Sequence, residues 1–219
     1  MPRRCGGVAA ASPPIAIAIT AKAMQCVALL LCMACAPLAN AYTPQEGDIV
    51  FHTSTSSQSA AVQAATRSRY SHMGVVLLRS GRPYVLEAVQ PVRYTPLQTW
   101  LDRGLQGRYV IKRPATPLTP ATKARLHAAA STYIGRPYDL TFEWSNQRIY
   151  CSELVWKLYR DAAAIELAPL ARLDSFDLRA PVVRSKLRER YGTDIPLSEP
   201  VISPAAIFAS PLLVTVDQR

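Results

Sequence analysis

The segment HMGVVLLRSGRPYVLEAV, residues 72–89, constrains the fold more than any other part of the chain. Two apolar runs rich in β-branched residues flank Ser80-Gly81, which is typical of an antiparallel hairpin with a tight turn. If the turn has two residues, Arg79 faces Arg82, and this pair determines the register of both strands. The segment therefore predicts two adjacent antiparallel strands.

The register of this hairpin determines which side chains share a face. With a two-residue turn, His72 and Glu87 are diagonal neighbours on one face, about 7–8 Å apart at Cα. Glu87 is the one acid in the apolar run YVLEAV, where an unpaired carboxylate would be costly unless it faced solvent. Beside His72 it could accept a hydrogen bond from the imidazole and orient the ring. A three-residue turn would place Glu87 on the opposite face.

The rest of the chain alternates short strands with helices, without internal repeats. Outside the hairpin we predict a strand within 47–54, a helix within 56–68, a helix within 95–104, a strand within 107–114, a helix within 119–135, a helix from about 151 to 164 and a helix within 181–192. Strands clustered between helices predict an α+β domain.

Residues 1–41 have the pattern of an export signal. The segment contains basic residues, an apolar run at 26–39 and the small-x-small sequence ANA at 39–41, and no acid precedes Glu46. The apolar run is shorter than the roughly 20 residues of a membrane span. We expect cleavage after Ala41 and a mature domain of residues 42–219, periplasmic or extracellular and without a transmembrane segment. A lipid anchor on Cys35 is less favoured, because LCMAC matches a lipoprotein signal poorly.

The charge of the mature chain favours anionic partners. Three of the 25 basic residues and none of the 15 acidic residues lie before residue 42, which leaves a net charge of +7. This charge suits an anionic cell-envelope polymer or a lipid surface, or it is simply a solvated basic surface. Nucleic acid is not an expected partner, because the basic residues are scattered and the protein is expected to be exported.

Removal of the signal leaves Cys151 as the one cysteine of the mature chain. An odd cysteine in an exported protein indicates intermolecular pairing or a reactive thiol, and the alternative is an inert buried thiol. In CSELVWKLYRDA, the apolar residues Leu154, Val155, Leu158 and Ala162 form a stripe at helical spacing. Cys151 then lies in the first helical turn, where free N–H groups favour a thiolate. Cys151 is our candidate nucleophile.

A thiol nucleophile requires a base, and the chain has three histidines. His72 is favoured over His52, because Ser71 and Gly74 are small and would leave space beside its ring. His127 lies among alanines and charged residues in a predicted helix and is expected at the surface. The expected mature chain, residues 42–219, contains no HExxH, CxxC, EF-hand or GxSxG motif, so we expect no metal, no cofactor and no serine nucleophile.

Six motifs in order, GDIVFHTSTSSQS, YSHMGVV, YVLEAVQPV, YIGRPYDLTFEW, YCSELVWKLY and VISPAAIF, resemble the YiiX/YaeF-type permuted papain-like enzymes of the NlpC-type cysteine peptidase superfamily. The chain has that family's order of histidine, polar residue and cysteine, here His72, Glu87 and Cys151. The resemblance implies a circularly permuted papain-like α+β fold, with a small antiparallel sheet packed on helices and the nucleophile at a helix N-terminus. His52 stands where an amide or another polar residue would be expected.

These residues predict an exported cysteine hydrolase, amidase- or peptidase-like, acting on an amide or ester through a thioester. Cys151 would be the nucleophile, His72 the base and Glu87 the orienting carboxylate, with backbone N–H groups near Cys151 stabilising the oxyanion. Two alternatives remain, a lipid acyltransferase or esterase and a catalytically silent binding module. An apolar groove beside Cys151 would favour a lipid, and a polar cleft would favour a peptide.

Overall fold

A six-stranded antiparallel sheet organises residues 42–219, with the strands in the spatial order Arg93–Pro96, Arg82–Glu87, His72–Arg79, Ile49–His52, Val110–Pro114 and Leu213–Gln218. The computed structural model describes residues 1–3, 6 and 42–219, so the predicted export signal lies almost wholly outside the described residues. Residues 42–219 form one compact unit. Its strands are β1 (Ile49–His52), β2 (His72–Arg79), β3 (Arg82–Glu87), β4 (Arg93–Pro96), β5 (Val110–Pro114) and β8 (Leu213–Gln218), with β6 (Ala171–Arg172) and β7 (Pro200–Val201) forming a separate pair.

The β2–β3 hairpin has the predicted register. Arg79 pairs with Arg82 and Val75 pairs with Leu86, which confirms a two-residue turn. Both turn residues have positive φ, 50° at Ser80 and 75° at Gly81, as a turn matched to the twist of the strands requires.

Six helices complete the described fold: α1 (Ser59–Thr66), α2 (Leu97–Asp102), α3 (Pro120–Tyr133), α4 (Cys151–Ala163), α5 (Pro181–Tyr191) and α6 (Pro204–Phe208). Among the described residues, no helix is long and apolar enough to cross a membrane. Helix α4 packs against α3 and β2, and α1 packs against α5. One face of the sheet meets α4 in the main core, and the opposite face, with Val76 and Val85, packs on Trp100 of α2.

The α+β class is confirmed, but two strands of the sheet were not predicted. Residues 95–104 were assigned to one helix, whereas Thr95 and Pro96 belong to β4 and the helix begins at Leu97. The physical reason is Pro96, because the residue before a proline is restricted to extended conformations. Strand β8 forms by pairing with β5 at the other edge of the sheet, a contact between distant segments that local periodicity does not reveal.

Helix α4 begins at Cys151, as its apolar stripe predicts. The Glu153 carboxylate accepts the backbone N–H of Tyr150 at 3.3 Å and caps the first turn. The side chains of the stripe are buried, and the helix ends at Ala164, which has a left-handed conformation. Cys151 is therefore fixed at the N-terminus of a helix in the centre of the core.

Candidate active site

The structure brings the three predicted site residues together. His72 begins β2, Glu87 ends β3, and their side chains are joined by a hydrogen bond of 2.8 Å between Nε2 and Oε2. Cys151, at the start of α4, lies close enough to the ring to raise the pKa of His72. The predicted placement of Glu87 on the face of His72 is confirmed.

Electrostatics favour a charged imidazole in this group. Burial alone would lower the pKa of His72, but the neighbouring Cys151 and the hydrogen-bonded Glu87 outweigh it and raise that pKa to about 9. Burial would raise the pKa of Glu87, but the interaction with His72, followed by those with Thr95 and Arg103, lowers it to about 2. At neutral pH the carboxylate is therefore ionised beside an imidazolium. Because Glu87 occupies Nε2, Nδ1 is the ring nitrogen left for the thiol.

Four side chains donate to the fully buried Glu87 carboxylate. Besides His72, Thr95 Oγ1 donates at 2.6 Å, Trp100 Nε1 at 2.9 Å, and Arg103 Nη2 at 2.6 and 2.7 Å to the two oxygens. Arg103 supplies a second positive charge, so the ionised form of the Glu87 carboxylate is stabilised by Arg103 as well as by His72. These donors were not predicted. Their one sequence signal is the spacing of Trp100 and Arg103, three residues apart and therefore on one side of a helix.

His52, the alternative base, has a different environment. Its ring stacks on Trp100, with 4.1 Å between centroids and 10° between planes, and its centroid lies 5.3 Å from that of His72. Burial and the charges of His72 and Arg103 lower the pKa of His52 to about 3, so it is neutral at pH 7. His127 is partly exposed, as expected, and bonds Glu46 at 2.6 Å.

The small residues beside His72 are explained by packing. A Cβ on Gly74 would lie 2.4 Å from Val85 Cγ1 and 2.7 Å from the Leu86 carbonyl oxygen. Gly74 thus permits the close approach of β2 and β3. Ser71 is held by Ser59 Oγ at 2.6 Å and by the Ser54 N–H at 2.8 Å.

Contacts to a distant segment fix the N-terminus of α4. Tyr150 Oη accepts the N–H of Ile202 at 3.1 Å, and Ser152 Oγ donates to the Ile202 carbonyl at 2.8 Å. Cys151 lies between these two anchors, 4 % exposed, and forms no disulfide. The thiol therefore has a fixed position rather than a mobile one.

Two cavities flank the Cys151–His72 pair. The first, which we call the apolar cavity, has a volume of about 100 Å³ and reaches Cys151. Its apolar lining comprises Ala61, Val62, Ala65, Phe142, Leu173, Phe176, Leu178, Val183, Leu187, Val201 and Ile202. An apolar space that ends at a candidate nucleophile is suited to a hydrocarbon group.

The second, which we call the polar cavity, is wider, about 710 Å³, and is lined by His72. Gln58, Tyr138, Lys186 and Arg190 line both cavities, and Gln58 is hydrogen bonded to Tyr138 and to Arg190. Gln58 Nε2 donates to Tyr138 Oη at 2.6 Å, and Arg190 Nη2 donates to Gln58 Oε1. This bridge lies where the two cavities adjoin, next to the candidate site.

The sheet, the helix that begins at the cysteine and the order of the site residues are those of a permuted papain-like protein. Residues 43–217 match the family model described as permuted papain-like amidase enzyme, YaeF/YiiX, C92 family, and the chain belongs to this family.

Two relatives cover most of the chain. It is 47% identical over 191 residues to a protein from Escherichia coli (strain K12) named "Uncharacterized protein YiiX", across 87% of this chain and 95% of the relative. It also resembles a crystal structure described as that of metalloprotein yiiX from Escherichia coli O157:H7, DUF1105. That comparison has a TM-score of 0.79 and 48% identity, and it covers 81% of this chain and 99% of the other.

Proposed function

We propose that this chain is a cysteine hydrolase or acyltransferase that cleaves an amide or ester through a thioester on Cys151. One observation carries the proposal. A thiol at the first residue of α4 lies beside His72, and Nε2 of His72 is held by a buried carboxylate. A nucleophile, a base and an orienting group in this relation are the parts required for acyl transfer.

The reaction begins at the Cys151–His72 pair. With the thiol proton on Nδ1 of His72, the sulfur attacks the substrate carbonyl carbon and forms the C–S bond of a tetrahedral intermediate. Backbone N–H groups of the first turn of α4, including that of Cys151, stabilise the oxyanion. Collapse of the intermediate breaks the bond to the leaving group, which receives the proton from His72. Water, an amine or a hydroxyl then gives its proton to His72 and releases the acyl group from sulfur.

Glu87 acts through His72 rather than on the substrate. Its hydrogen bond to Nε2 fixes the ring with Nδ1 toward the thiol, and its charge stabilises the imidazolium. Arg103, Trp100 and Thr95 hold the carboxylate in place and satisfy both of its oxygens. They are positioning residues of the proposed site.

The apolar cavity favours an acyl chain as the group transferred to sulfur. The cavity ends at Cys151 between α1 and α5, and its walls offer few polar groups to a peptide. Hydrocarbon burial contributes roughly 0.8 kcal/mol per methylene, so a longer chain gains affinity with each group that enters. Among the functions open from the sequence, a lipid or acyl substrate is therefore favoured over a peptide stem.

Labelling with thiol-reactive acyl probes tests this proposal. We expect wild type to form an adduct on Cys151, Cys151→Ala to form none, and an octanoyl probe to react faster than acetyl or peptidyl probes. Ala65→Phe fills the apolar cavity and should abolish the preference for octanoyl, whereas Ala60→Phe, on the exposed side of the same helix, should retain it.

Each outcome separates the alternatives. Equal reaction of all probes with wild type would remove the argument for an acyl chain and leave the hydrolase. No adduct with any probe, together with retained binding of acylated ligands, would favour a silent binding module.

A resident metal is not part of the proposal. The Escherichia coli structure is described as a metalloprotein. In residues 42–219 of this chain, no group of three or more His, Cys, Asp or Glu side chains is arranged to hold a metal ion. The Cys151–His72 pair offers two donors, fewer than the three protein ligands of a typical catalytic zinc site.

We further propose that the protein is exported and acts at the cell envelope. The basic residues, apolar run and ANA sequence of the first 41 residues support export, and the net charge of +7 suits an anionic polymer or lipid surface. The intact mass of the secreted protein tests this. We expect a mature N-terminus at Tyr42, and a diacylglyceryl group on Cys35 would show anchoring instead.

A further inference from the structure

The two cavities meet the Cys151–His72 pair on different sides. Cys151 lines the apolar cavity and His72 lines the polar cavity, with the Gln58–Tyr138–Arg190 bridge between them. In acyl transfer the sulfur retains the acyl group, while the leaving group departs with the proton that His72 donates. The leaving group therefore lies on the side of His72, in the polar cavity.

Three cationic side chains line the polar cavity. Arg103 follows α2, and Lys186 and Arg190 lie on α5, so positive charge reaches this space from two separate elements. Among the described residues of the lining, Glu189 is the one carboxylate, and it pairs with Lys186 at 2.6 Å. The lining therefore carries an excess of positive charge.

Arg103 is partly exposed at the wall of this space. One nitrogen, Nη2, binds Glu87, while Nε is buried and has no hydrogen-bond partner. The side chain as a whole is 37% exposed and lines the cavity, so its positive charge acts on this space as well as on Glu87. An anionic group in the cavity would interact favourably with this charge.

We infer that the polar cavity binds a leaving group that carries a phosphate or a carboxylate, so that the substrate joins an apolar acyl chain to an anionic alcohol or amine. The inference rests on the proposed function and specifies its substrate. Cleavage breaks the bond between the acyl carbon and this oxygen or nitrogen, and His72 supplies the proton that the released alcohol or amine requires. Arg190, which is hydrogen bonded to the neutral side chain of Gln58, is the cation of this lining that has no carboxylate partner among the described residues.

Matched substrates with one acyl chain test the inference. The phosphate pair is octanoyl-glycerol 3-phosphate and octanoylglycerol, and the carboxylate pair is N-octanoylglycine and N-octanoylglycinamide. We expect kcat/KM for the anionic member of at least one pair to exceed that of its neutral partner roughly tenfold, the size of one charged hydrogen bond. This preference should decrease as salt increases. The pair that shows the preference identifies the anion.

Substitutions on α5 locate the effect. Lys186→Gln/Arg190→Gln should reduce the preference toward unity, and Arg190→Lys, which keeps the charge, should retain most of it. Arg188→Gln is the matched control, because Arg188 is exposed on the same helix and does not line the polar cavity. An equal effect of Arg188→Gln would indicate a general charge effect and overturn the inference.

A binding measurement covers the case in which no substrate turns over. Calorimetry with Cys151→Ala compares glycerol 3-phosphate with glycerol and N-acetylglycine with N-acetylglycinamide. Tighter binding of an anion, reduced by Lys186→Gln/Arg190→Gln, supports the inference. Equal turnover and equal binding within both pairs refute it and leave the proposed hydrolase intact, whereas failure of Cys151 to form any acyl adduct counts against the function itself.

Discussion

Replacing Glu87 by glutamine tests how far the charge of this carboxylate supports both the fold and the base. The amide retains one oxygen acceptor, but it loses the negative charge and places an N–H₂ group toward Thr95 or Arg103. The pKa of Glu87 falls from 4.5 to about 2 in the folded protein. At about 1.36 kcal/mol per pKa unit, this shift corresponds to about 3 kcal/mol of stability at neutral pH. Because the amide keeps part of the hydrogen bonding, we expect a loss of about 2 kcal/mol.

Urea unfolding at pH 7 measures this loss. Glu143→Gln is the matched control, because Glu143 forms an exposed ion pair with Arg148, which should contribute less than about 1 kcal/mol. The stability that ionised Glu87 supplies is present above pH 4.5 and is lost as the pH falls through about 2, so the two proteins should converge in acid. Turnover should fall but not vanish, since His72 remains. A Glu87→Gln protein as stable as wild type at pH 7 would refute this account of the carboxylate.

The remaining predictions concern the base, the pH profile and the hairpin. Cys151→Ala should abolish acyl-adduct formation and turnover. His72→Ala should reduce turnover almost to the level of Cys151→Ala, because nucleophile and base act as one unit. A His72→Ala enzyme with near-normal kcat would contradict the assignment. Wild-type turnover should decline as the pH rises through about 9, where His72 loses its proton and can no longer protonate the leaving group. The stability that protonated His72 contributes is fully present below pH 6.5 and should be lost as the pH rises through about 9. A flat kcat–pH profile up to pH 10 would exclude His72 as the acid. Gly74→Ala should lower the unfolding free energy by about 1–3 kcal/mol, because its Cβ would overlap Val85 and the Leu86 carbonyl; a stability within 0.5 kcal/mol of wild type, by the same urea assay, would show that the strands separate easily.

Local patterns in the sequence were sufficient to predict the relation of His72 to Glu87. The Ser80-Gly81 turn fixes the parity of the hairpin, and parity decides which side chains share a face. The position of Cys151 followed in the same way from the apolar stripe of its helix. Both features are determined by residues that lie close together in the sequence, within one hairpin or one helix.

Features that depend on distant segments were not predictable in this way. The Arg103 donor to Glu87 requires α2 to fold back across β3, and the apolar cavity requires α5 to pack against α1. Nothing in the spacing of either segment indicates its partner. His52 shows the same limit, because its stacking on Trp100 and the resulting neutral ring arise from packing rather than from its place at the end of β1.

The anchoring of α4 by Ile202 has a consequence for the order in which the site assembles. The His72–Glu87 bond spans 15 residues within one hairpin, so little chain entropy is lost when it closes. The N-terminus of α4, in contrast, is tied to Ile202 through a bond that spans 52 residues. The imidazole and its carboxylate can therefore pair as soon as the hairpin forms, whereas the thiol reaches its final position after the C-terminal segment has docked. A chain shortened before Ile202 would keep the His72 imidazole with its carboxylate partner but leave the Cys151 thiol without a fixed position.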